Sequence, residues 1–246
     1  MSISYWRNLY SQVAEKVLDT KNIRHKMPSL IFSQERFNAN DFLINMALNS
    51  TKIAWDNLII VPNENLADAI FYNIFPGEHY RILNAVVKIL NPSLVVEVGT
   101  FTGMGSIALK QELASGKLYT FDIVPWHSFE SHLSINDFDK NNIRQILSDL
   151  SIEEEFNKYS GILSEAEIIF MDAPKDGLFE YKFLSMLSKL KSKNNKLLII
   201  DDIRFVNMID LWISIEAPKI DISSFGHWSG TGFVDISQGF GIKNLS

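Results

Sequence analysis

Apolar positions change rhythm along this chain, and the change divides it. Tyr5, Trp6, Leu9, Val13, Val17 and Leu18 recur at helical spacing, so the pattern predicts an amphipathic helix over 4–19. The next stretch, to residue 76, is mixed, with helices expected at 40–49 and 64–75 between polar connections. Tyr80, Leu83, Val86, Val87 and Leu90 share one face of a helix over Glu78–Leu90, which Pro92 stops. From residue 94 short apolar runs take over. Leu94–Val98, Lys117–Ile123, Ile143–Leu147, Glu167–Met171 and Lys196–Ile200 read as strands, with helical stretches near 103–115, 151–160 and 176–192. That alternation predicts an open, mostly parallel α/β sheet. After Pro218 two β-like runs, Ile220–Phe225 and Thr231–Ile236, flank the turn-rich Gly226-His227-Trp228-Ser229-Gly230 and predict a closing hairpin at the sheet edge. The expected division is a helical N-terminal extension or cap over 1–76 and one α/β domain over 77–246.

Composition narrows the function classes. Of 246 residues 46% are hydrophobic, enough for one domain with a large core. A net charge of -6 argues against a general nucleic-acid binder. The absence of cysteine removes disulfides, thiol nucleophiles and thiolate metal sites. No apolar run approaches the roughly 18 residues that span a bilayer, and the first residues lack the apolar core of a secretion signal. The expectation is a soluble, cytoplasmic protein with no membrane partner, in which the sequons at Asn49 and Asn244 are chance matches. The stripe of the first helix is expected to face a core, either that of its own domain or that of a second copy in a homodimer.

The candidate chemistry begins in LVVEVGTFTGMGSIAL, residues 94–109. An apolar strand reaches Glu97, a turn carries Gly99, Gly103 and Gly105, and a helix pattern follows. A strand, a tight turn and a helix start form a cradle for a nucleotide-like cofactor. The spacing is not the G-x-G-x-x-G of dinucleotide enzymes, no Tyr-x-x-x-Lys pair exists, and Gly116-Lys117-Leu118 is not a phosphate-binding loop. G-x-x-x-G-x-G behind a glutamate resembles motif I of the S-adenosylmethionine-dependent methyltransferases. Acids end the next two strands: Asp122, placed to accept ribose hydroxyls, and Asp149, within reach of an adenine amino group. Gly99 and Gly103 let the backbone approach a ligand closely. Phe101 and Trp126 read equally as cofactor walls or as core. A lone glycine turn or a lone aspartate means little, since strands often end in glycine and aspartate often caps helices. The combination at successive strand ends means more.

A second constellation follows the fourth and fifth strands. EIIFMDAPK places Asp172 and Lys175 there, and KLLIIDD places Asp201 and Asp202. Neighbouring strands lie about 5 Å apart, so these acids can converge. Three carboxylates without a soft ligand suit a hard divalent cation such as Mg²⁺. Alone, Asp202 reads as a helix cap and Asp172 as a partner of Lys175. Together with PGEHYRILNAVVKIL and EVGTFTG, these segments resemble the metal-dependent catechol and caffeoyl-coenzyme A type O-methyltransferases over Gly77 to about Phe205. The resemblance implies a Rossmann-like seven-stranded sheet of order 3-2-1-4-5-7-6 with flanking helices. It also implies metal ligation by Asp172, Asp201 and Asp202, and Lys175 as catalytic base beside Asp172.

The chain departs from that family in three places. Asp202 stands where the family has Asn. Gly105 stands where relatives commonly carry a cofactor-contacting Ser, with Ser106 next door as the substitute. SFGHWSGTGFVD near the C-terminus matches nothing in the family. There, His227, Trp228 and Asp235 read as acceptor-pocket residues, or as a buried Trp beside a His satisfied by a carbonyl. His79 reads as a packing residue. The expected function is methyl transfer from S-adenosyl-L-methionine to a hydroxyl of a small-molecule acceptor, with Mg²⁺. The alternatives are a metal-independent N- or carboxyl-methyltransferase with Asp172 or His227 as base, and a non-catalytic cofactor-binding protein of the same fold.

Overall fold

A computed structural model describes residues 37–140, 143–192, 194, 196–205 and 207–243. The helix expected over 4–19 lies outside them. The five expected strands form as β1 (Leu94–Val98), β2 (Lys117–Asp122), β3 (Ile143–Leu147), β4 (Ile168–Met171) and β5 (Leu197–Asp201). Two more, β7 (Lys219–Asp221) and β8 (Thr231–Asp235), complete a seven-stranded sheet of order β3-β2-β1-β4-β5-β8-β7. Numbered by chain order within this sheet, that is the expected 3-2-1-4-5-7-6, the Rossmann-like order of the methyltransferase fold. Strands β1 to β5 pair in parallel, and β8 runs antiparallel to both neighbours. The short β6 (Ile215–Glu216) and β9 (Gly241–Ile242) pair separately.

Alternation along the strands builds two cores. Val95, Ile168, Phe170, Leu197, Ile199 and Phe233 face one side, and Val96, Val98, Ile169, Met171, Leu198, Ile200 and Val234 face the other. The first side is covered by α1 (Asp41–Asp56), α2 (His79–Leu90) and α3 (Met104–Gln111). The second is covered by α5 (Glu153–Glu165), α6 (Leu178–Leu187) and α7 (Met208–Ser214). The short α4 (Ile135–Lys140) precedes β3. Helix α1 is part of the first core through Leu43, Met46, Ala47 and Ala54. Its cap does two jobs: Asn40 accepts the Leu43 N–H at 3.0 Å and donates to Asp235 on β8 at 2.6 Å. Helix α2 ends at Asn91, which takes a left-handed conformation and donates to the Val87 carbonyl before Pro92.

Local side-chain chemistry explains where the pattern misleads. The helix expected at 64–75 is a series of turns with one 3₁₀ turn, Ala69–Tyr72. The Asn73 amide accepts from Ile59 N–H at 2.8 Å and donates to Ile59 carbonyl at 2.9 Å, tying the segment crosswise to an earlier one. The helix expected at 40–49 continues to Asp56. The strand expected over Ile220–Phe225 stops at Asp221, whose carboxylate accepts the Ser223 N–H at 2.9 Å and starts a 3₁₀ turn.

Phe233 is fully buried and lies between Ile199 and Ile220 in register. Phe233→Ala is expected to cost about 3–5 kcal/mol, measured by denaturant unfolding; a loss below 1 kcal/mol would show that this side of the sheet is loosely packed.

Candidate active site

The C-terminal ends of β1, β2, β4 and β5 open into one cavity of about 790 Å³, lined among others by Gly99, Phe101, Asp122, Asp149, Asp172, Lys175, Asp201 and Asp202. Its two halves correspond to the two constellations read from the sequence.

On the glycine side, the ladder carries the turn directly out of β1. Gly99 N–H donates to the Phe121 carbonyl at 2.8 Å. Its φ is +101°, and a β-carbon there would stand 1.9 Å from the Asp172 carbonyl oxygen. Gly99 is therefore the hinge that lets the β1 and β4 ends approach. Asp122 accepts from Thr100 N–H at 2.9 Å and Phe101 N–H at 3.0 Å through one oxygen, and from Val124 N–H at 3.0 Å through the other. It holds the turn as well as lining the cavity. Phe101 stands out at the mouth, with positive φ and its ring edge-on to Phe129 at 5.0 Å. Asp149 accepts from Ser151 N–H at 2.9 Å and lines the same side.

Glu97, Gly103 and Ser106 sit behind this wall, outside the cavity lining. Gly103 abuts Leu133, where a β-carbon would come within 2.4 Å of the side chain. Ser106 is buried and donates to the Glu97 carboxylate in a short hydrogen bond. Gly105 now has a packing reason: a β-carbon there would lie 2.3 Å from Glu97 Oε1 and 2.9 Å from Phe170. Burial pushes the Glu97 carboxyl up to about 8, against the hydrogen bonds of Ser106 and Thr120. Trp126 stacks on Phe138 at 5.2 Å rather than lining the cavity.

On the acidic side, strand register does the assembly. Met171 pairs with Ile200, so Asp172 and Asp201 leave neighbouring strands at the same level. Asp172, Asp201 and Asp202 offer oxygens within 4.8 Å of one another. Lys175 pairs with Asp172 through a short contact and lies 3.3 Å from Asp202 Oδ2. Burial and the Asp201 charge push Asp172 up to about 6, with Lys175 pulling the other way. Burial opposes the Lys175 charge, but Asp172, Asp201 and Asp202 outweigh it and hold the ammonium well above its ordinary range. Lys175 and Asp202 both have left-handed backbones, with φ of 63° and 58°. The Lys175 loop is clamped by buried Glu180, which accepts from Lys175 N–H at 2.7 Å and Gly177 N–H at 2.9 Å.

Two histidines complete the wall, and one is a surprise. His79, read from the sequence as packing, enters the site at the start of α2. Its ring stacks on His227 at 3.9 Å, its Nε2 lies 4.0 Å from Asp201 Oδ1, and neither ring nitrogen has a hydrogen-bond partner. Burial and the neighbouring His227 lower its pKa to about 3. His227 Nδ1 lies 3.0 Å from Thr231 Oγ1 and 3.1 Å from Asp201 Oδ1, and its Nε2 lies 2.9 Å from Ser229 Oγ and 3.6 Å from Asp202 Oδ1. Burial works against its charge, but Asp201, Asp202 and Asp172 outweigh that and raise its pKa. The His227 partners are side chains, not a carbonyl, and Trp228 is exposed. Asp235 lies at the opposite end of the sheet, level with Leu197.

No family model and no curated protein matches the chain. Among solved structures, the cofactor-bound Rv0187 from MTB is 14% identical, covers 80% of this chain and 90% of its own, and gives a TM-score of 0.48. The SAH-bound Podospora anserina methyltransferase PaMTH1 is 11% identical over 99% of this chain and 98% of its own, with a TM-score of 0.48. The MycE methyltransferase of mycinamycin biosynthesis, in complex with Mg, SAH and mycinamycin VI, is 17% identical over 51% of this chain and 31% of its own, with a TM-score of 0.38. Among the described residues, no helix is long and apolar enough to cross a membrane.

The buried Glu97 carboxyl has a measurable consequence. It stays protonated in the fold up to about 8, whereas the unfolded side chain ionises near 4.5. The stability this represents is whole below the unfolded value and is lost as pH rises through the folded one. Melting temperature is therefore expected to fall between pH 4.5 and 8 in the native protein, and less steeply in Glu97→Gln. Parallel curves for the two proteins would refute a protonated Glu97.

Proposed function

We propose that this protein is an S-adenosyl-L-methionine-dependent O-methyltransferase acting on a hydroxyl of a small molecule with the help of a divalent cation. The observation that carries the reading is the meeting of both constellations on one cavity. Asp122 and Asp149 line one side, and Asp172, Lys175, Asp201 and Asp202 line the other.

The cavity fits such a cofactor. The backbone of the Gly99 turn lines one side of it, and the two acids there are acceptors suited to ribose hydroxyls and an adenine amino group. The acidic trio fits a hard dication, because its oxygens converge within 4.8 Å of one another. A sulfonium cofactor supplies an activated methyl group, and a dication lowers the pKa of a bound hydroxyl.

The protein's own groups do the rest. Asp172 and Asp202 hold the Lys175 ammonium beside the acceptor position. In that state Lys175 carries its proton and cannot take another. Neutralising the carboxylates would remove the charge that holds the proton, so the ammonium could release it to water and the free Nζ lone pair could then accept the hydroxyl proton. Glu180 keeps the Lys175 backbone in its left-handed turn.

Calorimetric titration with S-adenosylmethionine tests the core of the proposal, and no binding at millimolar ligand would overturn it. Asp122→Ala is expected to weaken binding roughly ten- to a hundredfold by loss of charge-assisted hydrogen bonds. With a panel of diols, phenols and sugars as acceptors, Lys175→Met is expected to lower turnover about 10²- to 10⁴-fold, and excess chelator to abolish it. Full turnover in chelator would move the protein to the metal-independent class.

A further inference from the structure

We infer that His79, Asp201 and His227 form a nitrogen-bearing cation site of their own, suited to a borderline transition-metal dication rather than to Mg²⁺. It shares Asp201 with the oxygen-only trio but presents a different donor set on the side of Asp201 facing α2.

Three observations carry this. First, the three residues come from separate parts of the chain, the start of α2, the end of β5 and the loop before β8, and they offer ligand atoms within 4.8 Å of one another. All three are buried. Second, the polar atoms there are poorly satisfied. Neither ring nitrogen of His79, at 5% exposure, makes a well-formed hydrogen bond, and Asp201 Oδ1, also at 5%, meets the His227 ring at 3.1 Å. Such poorly satisfied groups are uncommon and costly in an apolar setting. A cation accepting a lone pair from each would satisfy them together. Third, the second ligand ring is already oriented. His227 Nδ1 lies 3.1 Å from Asp201 Oδ1, and its Nε2 is 2.9 Å from Ser229 Oγ. Two donors on one ion, each bonded at about 2.1 Å, stand roughly 3 to 3.5 Å apart. A hydroxyl that takes the far N–H of a ligating imidazole fixes its tautomer, and the near Nδ1, 3.0 Å from Thr231 Oγ1, would exchange that hydroxyl for the ion. His79 Nε2, at 4.0 Å from the same oxygen, would join by turning out of its stack on the His227 ring.

The donor set decides the ion. Mg²⁺ and Ca²⁺ favour oxygen ligands, whereas two imidazoles and a carboxylate favour iron, cobalt, nickel or zinc. The open positions of such an ion would face the cavity that His79, Asp201 and His227 line. The inference shares Asp201 with the proposed methyl-transfer site but uses neither the cofactor side of the cavity nor Lys175.

The test uses untagged full-length protein stripped with chelator and titrated with Co²⁺. The chain has no cysteine, so visible Co²⁺ bands report nitrogen and oxygen ligands without thiolate overlap. We expect X-ray absorption at the cobalt edge to show two imidazoles. We expect His79→Ala and His227→Ala each to weaken Co²⁺ binding at least tenfold, and His79→Ala to change Mg²⁺ binding less than twofold. Asp172→Asn is expected to weaken Mg²⁺ and spare Co²⁺. A cobalt spectrum of the native protein with fewer than two imidazoles would overturn the site without any variant having to fold. Equal Co²⁺ affinity in the native protein and both histidine variants would also overturn it. S-adenosylhomocysteine titrated into the same preparation separates the two claims: its binding without a histidine-ligated cobalt sinks only this site, and the converse sinks only the methyltransferase reading.

Discussion

Negative charge at the ends of two adjacent strands is the constraint around which the rest of this molecule is arranged. The β4–β5 register brings Asp172 and Asp201 to one level, and Asp202 follows immediately. Three carboxylates so close, in a setting that already pushes Asp172 up to about 6, repel one another and lack water to screen the repulsion. Lys175 and His227 are the nearby compensation. Further groups hold them in place: Glu180 behind the Lys175 loop, Thr231 and Ser229 around the His227 ring, and Gly99 giving the β4 end room. Unpaired buried charge is expensive, so a set like this persists in a fold only with such support.

The sheet keeps that tension away from the cores. Side chains of β1, β4, β5 and β8 alternate between two apolar layers, so both faces are filled by aliphatic and aromatic groups. Polar chemistry is left to the strand ends. Glu97 is the exception within a strand. It points into the first layer beside Phe170 and is tolerated because it meets Ser106 and remains uncharged. The chain thus handles acids in two ways: neutralised within the layer, and clustered against cations at its rim.

Much of this was legible before the structure, for physical reasons. Buried parallel strands are continuous apolar runs, so β1 was found to the residue and β4 and β5 to within one at either end; the edge strand β3, IRQIL, and β2 were read from apolar residues between helical stretches. Topology then brings acids at strand ends together, which is why Asp122, Asp149, Asp172, Asp201 and Asp202 could be read as one cavity's lining. Errors arose where a side chain redirects the backbone: Asn73 across 64–75, and Asp221 ending β7 early. His79 was missed because nothing local distinguishes it. It begins an ordinary amphipathic helix, and only the docking of α2 against the β8 loop brings its ring onto His227. Gly103 ends the expected turn and packs on Leu133, and Ser106, in the first turn of α3, donates to Glu97.

Lys175 and Asp202 each occupy a left-handed backbone position that glycine would take without strain. For a lysine that conformation costs roughly 1–2 kcal/mol, while aspartate adopts it more readily. A chain selected for robustness alone would drift toward glycine at both places and gain stability. That two charged side chains sit there instead marks both loops as places where the molecule is tuned for what its side chains do, at the expense of how firmly it holds together.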